Sequence, residues 1–383
     1  MPAGAQTAPA DLYIDVATHT MPGMAGLGAL GRITGAMGGG NTSYGMARHP
    51  GMPGKYMDVA LHNPRQPGTP ASQDVPKDLR LGDRIDLLPP DRKQPRNDDT
   101  DSTGHNTQGL ADGGPYTIRY YWGCGEQVRS GQPAEYTMTI RDGKPVQSGR
   151  AMTPRKVPQQ GVNASPEYAL WPNLSSRKPV STKASLVGAH RVTGGGLTNP
   201  MQFDLGGDHD FLPELELKND GNADNGMALR WNGVDGARAY FIHATAMDGN
   251  TIVMWSSSED GYAGQELIDF LPEALVAQWT KQRTLLGADA RSCKVPQEVF
   301  VASGAAPMVQ MIAYGNDRVI AQPRPSDAPR DWRPAWNAHV RNKSTAMLMP
   351  LGAVGNPREA AKPAAKEAAK DAAKGLLRGL LGR

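Results

Sequence analysis

Only two residues of the chain are cysteine, Cys124 and Cys293, and the first lies between two glycines in YTIRYYWGCGEQVRSGQP, residues 116–133. A cysteine nucleophile needs a neighbouring base and a setting that lowers the thiol pKa, such as a helix N-terminus. His190, His209, His243 and His339 lie downstream, but a strand precedes Cys124 and Gly131-Gln132-Pro133 breaks the chain soon after it. Metal ligation would require paired Cys or His at ligand spacing, and neither cysteine has such a partner. A disulfide needs only an even count and two cysteines beside strand-like segments, the alternative being two buried free thiols. Closing a loop of about 170 residues could contribute on the order of 4–5 kcal/mol through chain entropy. Such bonds persist in a periplasm or outside the cell.

A second chemistry is carried by the methionines, seven of which fall within the first 57 residues. Thioether and imidazole groups suit soft Cu(I). His19, Met21, Met24, Met46, His49 and Met52 form the candidate metal set, the alternative being methionines that fill irregular apolar gaps. Asp208, His209 and Asp210 in GGDHDF resemble half a metal site or an acid/base cluster, and read more simply as a polar hairpin tip. GLGALG places Gly26, Gly28 and Gly31 at dinucleotide-fingerprint spacing, but no helix pattern or acidic residue comes after it at the required distance, so no cofactor is implied. Trp122, Trp171, Trp255, Trp332 and Trp336 could build a sugar-stacking platform, or simply pack the core.

The last 26 residues repeat basic side chains every four positions, with Lys362, Lys366, Lys370, Lys374 and Arg378 forming a helical stripe. Residues 358–383 carry seven basic and three acidic groups, enough for salt-sensitive contact with an anionic surface, a peripheral membrane included. A solvated tether is the equal alternative.

These groups need elements to hold them. The chain has 45 glycines and 32 prolines, about a fifth of its 383 residues, so turns and short strands should dominate over helix. A net charge of +3 with scattered basic residues argues against a nucleic-acid partner. No apolar run reaches the roughly 18–20 residues that cross a bilayer as a helix. The opening MPAGAQTAPADLYIDV resembles the tail of a signal peptide around its cleavage site, which implies a longer native precursor and export to the periplasm or the cell exterior.

An internal echo is the first organising signal. LYIDVATHT (12–20) and KYMDVALHN (55–63) share Tyr, Asp, Ala and His at matching offsets: Tyr13, Asp15, Ala17 and His19 answer to Tyr56, Asp58, Ala60 and His62. Both have strand periodicity, so the copies should pair or occupy equivalent places in one sheet. A strand is expected at 79–88, hairpins at Asp142-Gly143 and Asp248-Gly249-Asn250, irregular chain over 150–200, and a helical stretch over 264–285.

The segment ALRWNGVDGARAYFIHATA resembles two consecutive strands of a fibronectin type III or related immunoglobulin-like sandwich. The resemblance implies that Leu229, Trp231, Tyr240 and Ile242 point into a core, with a corner at Gly236 and Ala237. The expected fold is mainly β: an immunoglobulin-like β-sandwich with one inserted helical segment, a smaller N-terminal β region and a helical C-terminal tail. Its divisions are a signal remnant or disordered end (1–11), the N-terminal β region (12–90), a linker (91–114), the sandwich core (115–345) and the tail (346–383). The expected function is exported, non-enzymatic binding or scaffolding of a protein or envelope polymer. A periplasmic metal-binding protein and a periplasmic hydrolase are the alternatives.

Overall fold

Alternating apolar and polar side chains, the signature of strands with one buried face, become strands along much of the described chain. The computed structural model describes residues 8–22, 42–48, 52–90, 113–141, 144–148, 155–158, 161–221, 226–261, 263–301 and 307–348. The first half contains β1 (Ala10–Thr20), β2 (Gly54–His62), β3 (Ala71–Asp74), β4 (Arg84–Leu87), β5 (Gly113–Trp122), β6 (Ala134–Arg141), β7 (Lys144–Ser148), β8 (Tyr168–Trp171) and β9 (Gly188–Gly194). The second adds β10 (Met201–Leu205), β11 (Leu217–Asn219), β12 (Met227–Trp231), β13 (Ala239–Asp248), β14 (Thr251–Ser256), β15 (Leu286–Gly287), β16 (Ser292–Val295), β17 (Met308–Ala321) and β18 (Trp336–Leu348). Two short helices, Glu273–Lys281 and Gln297–Val301, complete the described residues.

One sheet of 11 strands runs β7-β6-β5-β14-β13-β17-β18-β1-β2-β8, with β15 beside β13. The echoed segments pair antiparallel as β1 and β2, while β1 runs parallel to β18 from the far end of the chain. The sequence left open whether residues 1–90 stand alone; β1 and β2 complete the large sheet.

Two smaller sheets cover one face of the large one. The four-stranded sheet β10-β9-β3-β4 closes an apolar core over Leu12, Ile14, Val16, Val59 and Val340. The three-stranded sheet β11-β12-β16 closes a second core, in which Leu229 and Trp231 meet Tyr240, Ile242 and Trp255. Each fully buried aliphatic side chain here contributes roughly 1.5–3 kcal/mol.

The connection from β10 to β11 crosses between the two small sheets, and its buried backbone needs partners. Polar side chains in the sheet supply them: Thr18 and Thr20 donate to the carbonyls of Leu212 and Leu215 at 2.7 and 2.6 Å. Asn342 Nδ2 donates to Asp208 and Asp210 carbonyls at 3.1 and 2.7 Å, and Asn316 Nδ2 to Asp208 at 2.6 Å. A bulge between Tyr314 and Asp317 aims Asn316 at this seam. Gly315 is required there, because a Cβ would collide with the Asn342 side chain.

Several local expectations are corrected. The helical stretch over 264–285 shrinks to a single 3-10 turn, Gln265–Leu267, and the nine-residue helix after Pro272. Leu271, Val276 and Trp279 are each buried against the sheet, and Arg283 ends the run with a positive φ of 58°. The strand expected over 79–88 is reduced to β4, because Leu79 closes a 3-10 turn and Arg80 and Gly82 adopt positive φ. Residues 150–200, expected to be irregular, supply β8 and β9. GGDHDF is the inter-sheet crossing and not a hairpin tip, since β10 and β11 belong to different sheets.

The Asp248–Thr251 hairpin forms with Gly249 at φ +54°. β6 and β7 pair with Arg141 opposite Lys144, their turn residues 142 and 143 lying outside the described set. β18 continues through Leu348, and residues 349–383, like 91–112, lie outside that set.

Candidate functional site

The echo acquires a physical meaning on the face of the large sheet opposite the two small sheets. Because strand side chains alternate, the repeated Tyr, Asp, Ala and His positions share the face opposite Ile14 and Val16. Antiparallel register places Asp15 opposite Asp58, Tyr13 opposite Ala60 and Ala17 opposite Tyr56, so the two copies are related by a local two-fold centred on the aspartates. The parallel neighbour β18 then sets Arg341 beside Asp15, Lys343 beside Ala17 and Thr345 beside His19.

At the centre, Arg341 grips Asp15 with two hydrogen bonds, Nε to Oδ1 at 2.7 Å and Nη2 to Oδ2 at 2.5 Å. Their side chains are 5% and 6% exposed, so this is a buried, bidentate pair. Lys343 Nζ, still more buried, donates to Asp269 Oδ1 at 3.0 Å and to the Arg48 carbonyl at 3.1 Å. Arg48 donates through Nε and Nη2 to Asp269 Oδ2 at 2.9 and 2.6 Å. The Phe270 ring lies 4.6 Å from the Arg341 guanidinium and 4.4 Å from Lys343 Nζ, a cation–π contact to both. Burial alone would raise the Asp269 pKa, but Lys343 and Arg48 outweigh it and hold the carboxyl well below the usual range.

Among the described residues, Asp58 has no such cation in contact. It accepts from the backbone N–H groups of Gly45 and Ala47 at 3.0 and 2.9 Å. Burial, with Asp15 opposite, pushes it up to about 7 against the pull of those two donors. The network therefore clamps two segments to the sheet: residues 44–48 through Asp58 and Arg48, and the stretch around Asp269 through Lys343. It supplies electrostatic fastening; its carboxylates and amines are engaged with one another.

The two ends of this face differ. At the end covered by residues 44–48, His19 Nδ1 lies 2.6 Å from Thr345 Oγ1 and its ring sits 5.2 Å from Tyr56, beside which Ala47 and Met46 pack. At the other end the equivalent groups remain half-exposed: Tyr13 stacks on His339 at 4.7 Å, and His62 lies 5.1 Å from Tyr168. Asp11 sits between them, accepting from Asn337 Nδ2 at 3.1 Å and lying 3.2 Å from His339 Nε2. Burial opposes ionisation of Asp11, but its hydrogen bonds to His339 and Asn337 prevail and lower its pKa.

The residues that stood out in the sequence are dispersed across the fold. Cys124 and Cys293 form a disulfide with an S–S distance of 2.05 Å and Cα atoms 5.3 Å apart, tying the turn after β5 to β16. Of the methionine and histidine set, the His19 ring lies beside Tyr56, Met46 packs against the cluster of Ala17, Ala47 and Tyr56, Met21 follows the end of β1, and Met52 is exposed while its carbonyl accepts from the Tyr56 hydroxyl at 2.9 Å. Met24 and His49 lie outside the described residues, as do Gly26, Gly28, Gly31, Lys362, Lys366, Lys370, Lys374 and Arg378. Among the described residues, no group of three His, Cys, Asp or Glu side chains is arranged to hold a metal ion.

Asp210 is structural: its carboxylate accepts from Ser185 Oγ at 2.6 Å and from the Leu186 and Phe211 N–H groups, each at 2.8 Å. Trp171, Trp255 and Trp336 are core residues and present no platform. Sequence reasoning missed Arg48, Asp269, Arg341 and Lys343. The signal for two of them was present, since His339, Arg341 and Lys343 alternate through a strand-forming run. No helix among the described residues is long and apolar enough to cross a membrane. In comparisons with known proteins, no family model, curated protein or solved structure matches the chain.

Proposed function

We propose that this is an exported cell-envelope protein that binds or scaffolds a protein or envelope polymer and performs no catalysis. The observation that carries the reading is the Cys124–Cys293 disulfide. It joins segments 169 residues apart and fastens the smallest sheet to the large one. A bond of this kind is kept in oxidising compartments and lost to thiol reductants in the cytosol.

The sheet pair around Trp231 and Tyr240 supports an immunoglobulin-like sandwich as the scaffold, because consecutive strands β12 and β13 lie in opposed sheets around one core. In this reading the tether is residues 349–383, its expected start at 346 moving because β18 runs through Leu348, with Lys362, Lys366, Lys370, Lys374 and Arg378 available to an anionic envelope surface.

The test is intact mass of the protein recovered from its native cell fractions, alkylated with and without prior reduction. The expected outcome is a periplasmic or external protein whose two thiols react only after reduction, and which co-sediments with isolated envelope. A cytosolic protein with two freely alkylated cysteines would overturn the reading.

A further inference from the structure

We infer that the half-exposed end of the charged sheet face, formed by Asp11, Tyr13, His62, Tyr168, Asn337 and His339, is a binding strip for an extended, near-neutral glycan; this rests on the proposed envelope-polymer function. The groups form two rows across adjoining strands. His62 stands opposite both Asp11 and Tyr168, and His339 stands opposite both Tyr13 and Val319. Five strands at about 4.8 Å spacing give a strip roughly 19 Å across, long enough for several sugar residues.

Its composition selects the ligand. Tyr13 and His339 spend one face of each ring on their mutual stack; the remaining Tyr and His ring surface offers area to the apolar C–H faces of sugar rings, and a carboxylate and amide between them suit hydroxyl groups. The Asp11 and His339 side chains are 26% and 27% exposed, so solvent reaches them without opening the fold. Among the described residues that form the strip there is no lysine or arginine for a strongly anionic polymer, and the nearby Arg341 is buried against Asp15. A protein partner would want an apolar anchor, and among these rows only Val319 is a large, exposed hydrophobic residue. The opposite end of the same face carries the equivalent Tyr56 and His19, and there the chain covers them with its own residues 44–48. The open end presents that chemistry to something outside the chain.

The test is native affinity electrophoresis of the full, oxidised chain through gels containing soluble glycol chitin, repeated with hydroxyethyl cellulose as a second uncharged glycan. The wild type should be retarded. Tyr168→Ala and Tyr13→Ala should each weaken the retardation roughly three- to ten-fold. Tyr13→Phe, which keeps the ring, should bind nearly as wild type, and Val146→Ala on β7 should be unchanged. Tyr168 lies in the terminal strand of the sheet, so its replacement tests the strip even where Tyr13→Ala perturbs folding. If the wild type is retarded but neither alanine variant differs from it, the strip is wrong while the binding reading survives. If neither glycan retards the wild type, the glycan assignment falls, and envelope co-sedimentation then decides the broader reading separately.

Discussion

Asp58 and Asp15 are the same residue of the same repeated motif, yet their surroundings give them different work. Asp15 faces a guanidinium; Asp58 faces two backbone N–H groups and another carboxylate. In the folded protein Asp58 keeps its proton up to about pH 7, against 3.8 for an unperturbed aspartate. Folding therefore takes up a proton in that window. The group's contribution is complete below about pH 4 and is lost as pH rises through about 7, by at most ~4 kcal/mol. Asp58→Asn cannot titrate, so urea midpoints at pH 5 and pH 8 should differ less for the variant than for the wild type. Parallel pH profiles would refute the assignment. Glu266, raised to about 7 by burial, and His243, lowered to about 4 by burial, titrate in both proteins and drop out of the difference. For Asp15 the test is a double-mutant cycle. Arg341→Met alone strands a buried carboxylate and should cost about 3–5 kcal/mol, whereas Arg341→Met with Asp15→Leu should recover most of it. Additive thermal or urea destabilisation would show that the pair is not coupled.

Among the elements, the three-stranded sheet β11-β12-β16 has the least sheet of its own to hold it, and the disulfide is placed where it is needed. Cys124 comes just after a strand of the large sheet; Cys293 lies in β16, and Gly125 N–H donates to the Lys294 carbonyl at 2.9 Å beside it. The Cys124→Ser, Cys293→Ser double variant should lose about 2–5 kcal/mol. Hydrogen exchange should accelerate first in β11, β12 and β16; uniform acceleration across both small sheets would show that the bond does not act locally. What was legible in the sequence was local: the Asp-Gly hairpin, the strand periodicity of the echo, and two cysteines beside strands. The helix was overread because its apolar residues serve a 3-10 turn and an extended stretch before Pro272, which periodicity alone does not separate. The central network was half legible. Its aspartates stood out by repetition, but Lys343 and Asp269 are joined only by tertiary packing, and Arg341 meets Asp15 across 326 residues of chain.

The whole molecule is held by that long-range closure. β1 is a central strand, parallel to the last strand and antiparallel to the next one, and Leu12, Ile14 and Val16 are fully buried. Removing it would open two strand edges and forfeit roughly 1.5–3 kcal/mol for each of those three side chains. It would also leave Arg341 buried without Asp15, a further ~3–5 kcal/mol. The sum is comparable to the whole ~5–15 kcal/mol that stabilises a folded domain. A chain lacking residues 8–22 should therefore fail to show a cooperative melt. Because the contacts belong to the strand itself, a synthetic peptide of residues 8–22 added during refolding should restore that melt. A peptide carrying Asp15→Leu should restore it poorly, because the buried guanidinium then meets no carboxylate. A truncated chain that melts cooperatively without peptide would instead place the closing interactions elsewhere, and β1 would be a cover on a sheet already complete.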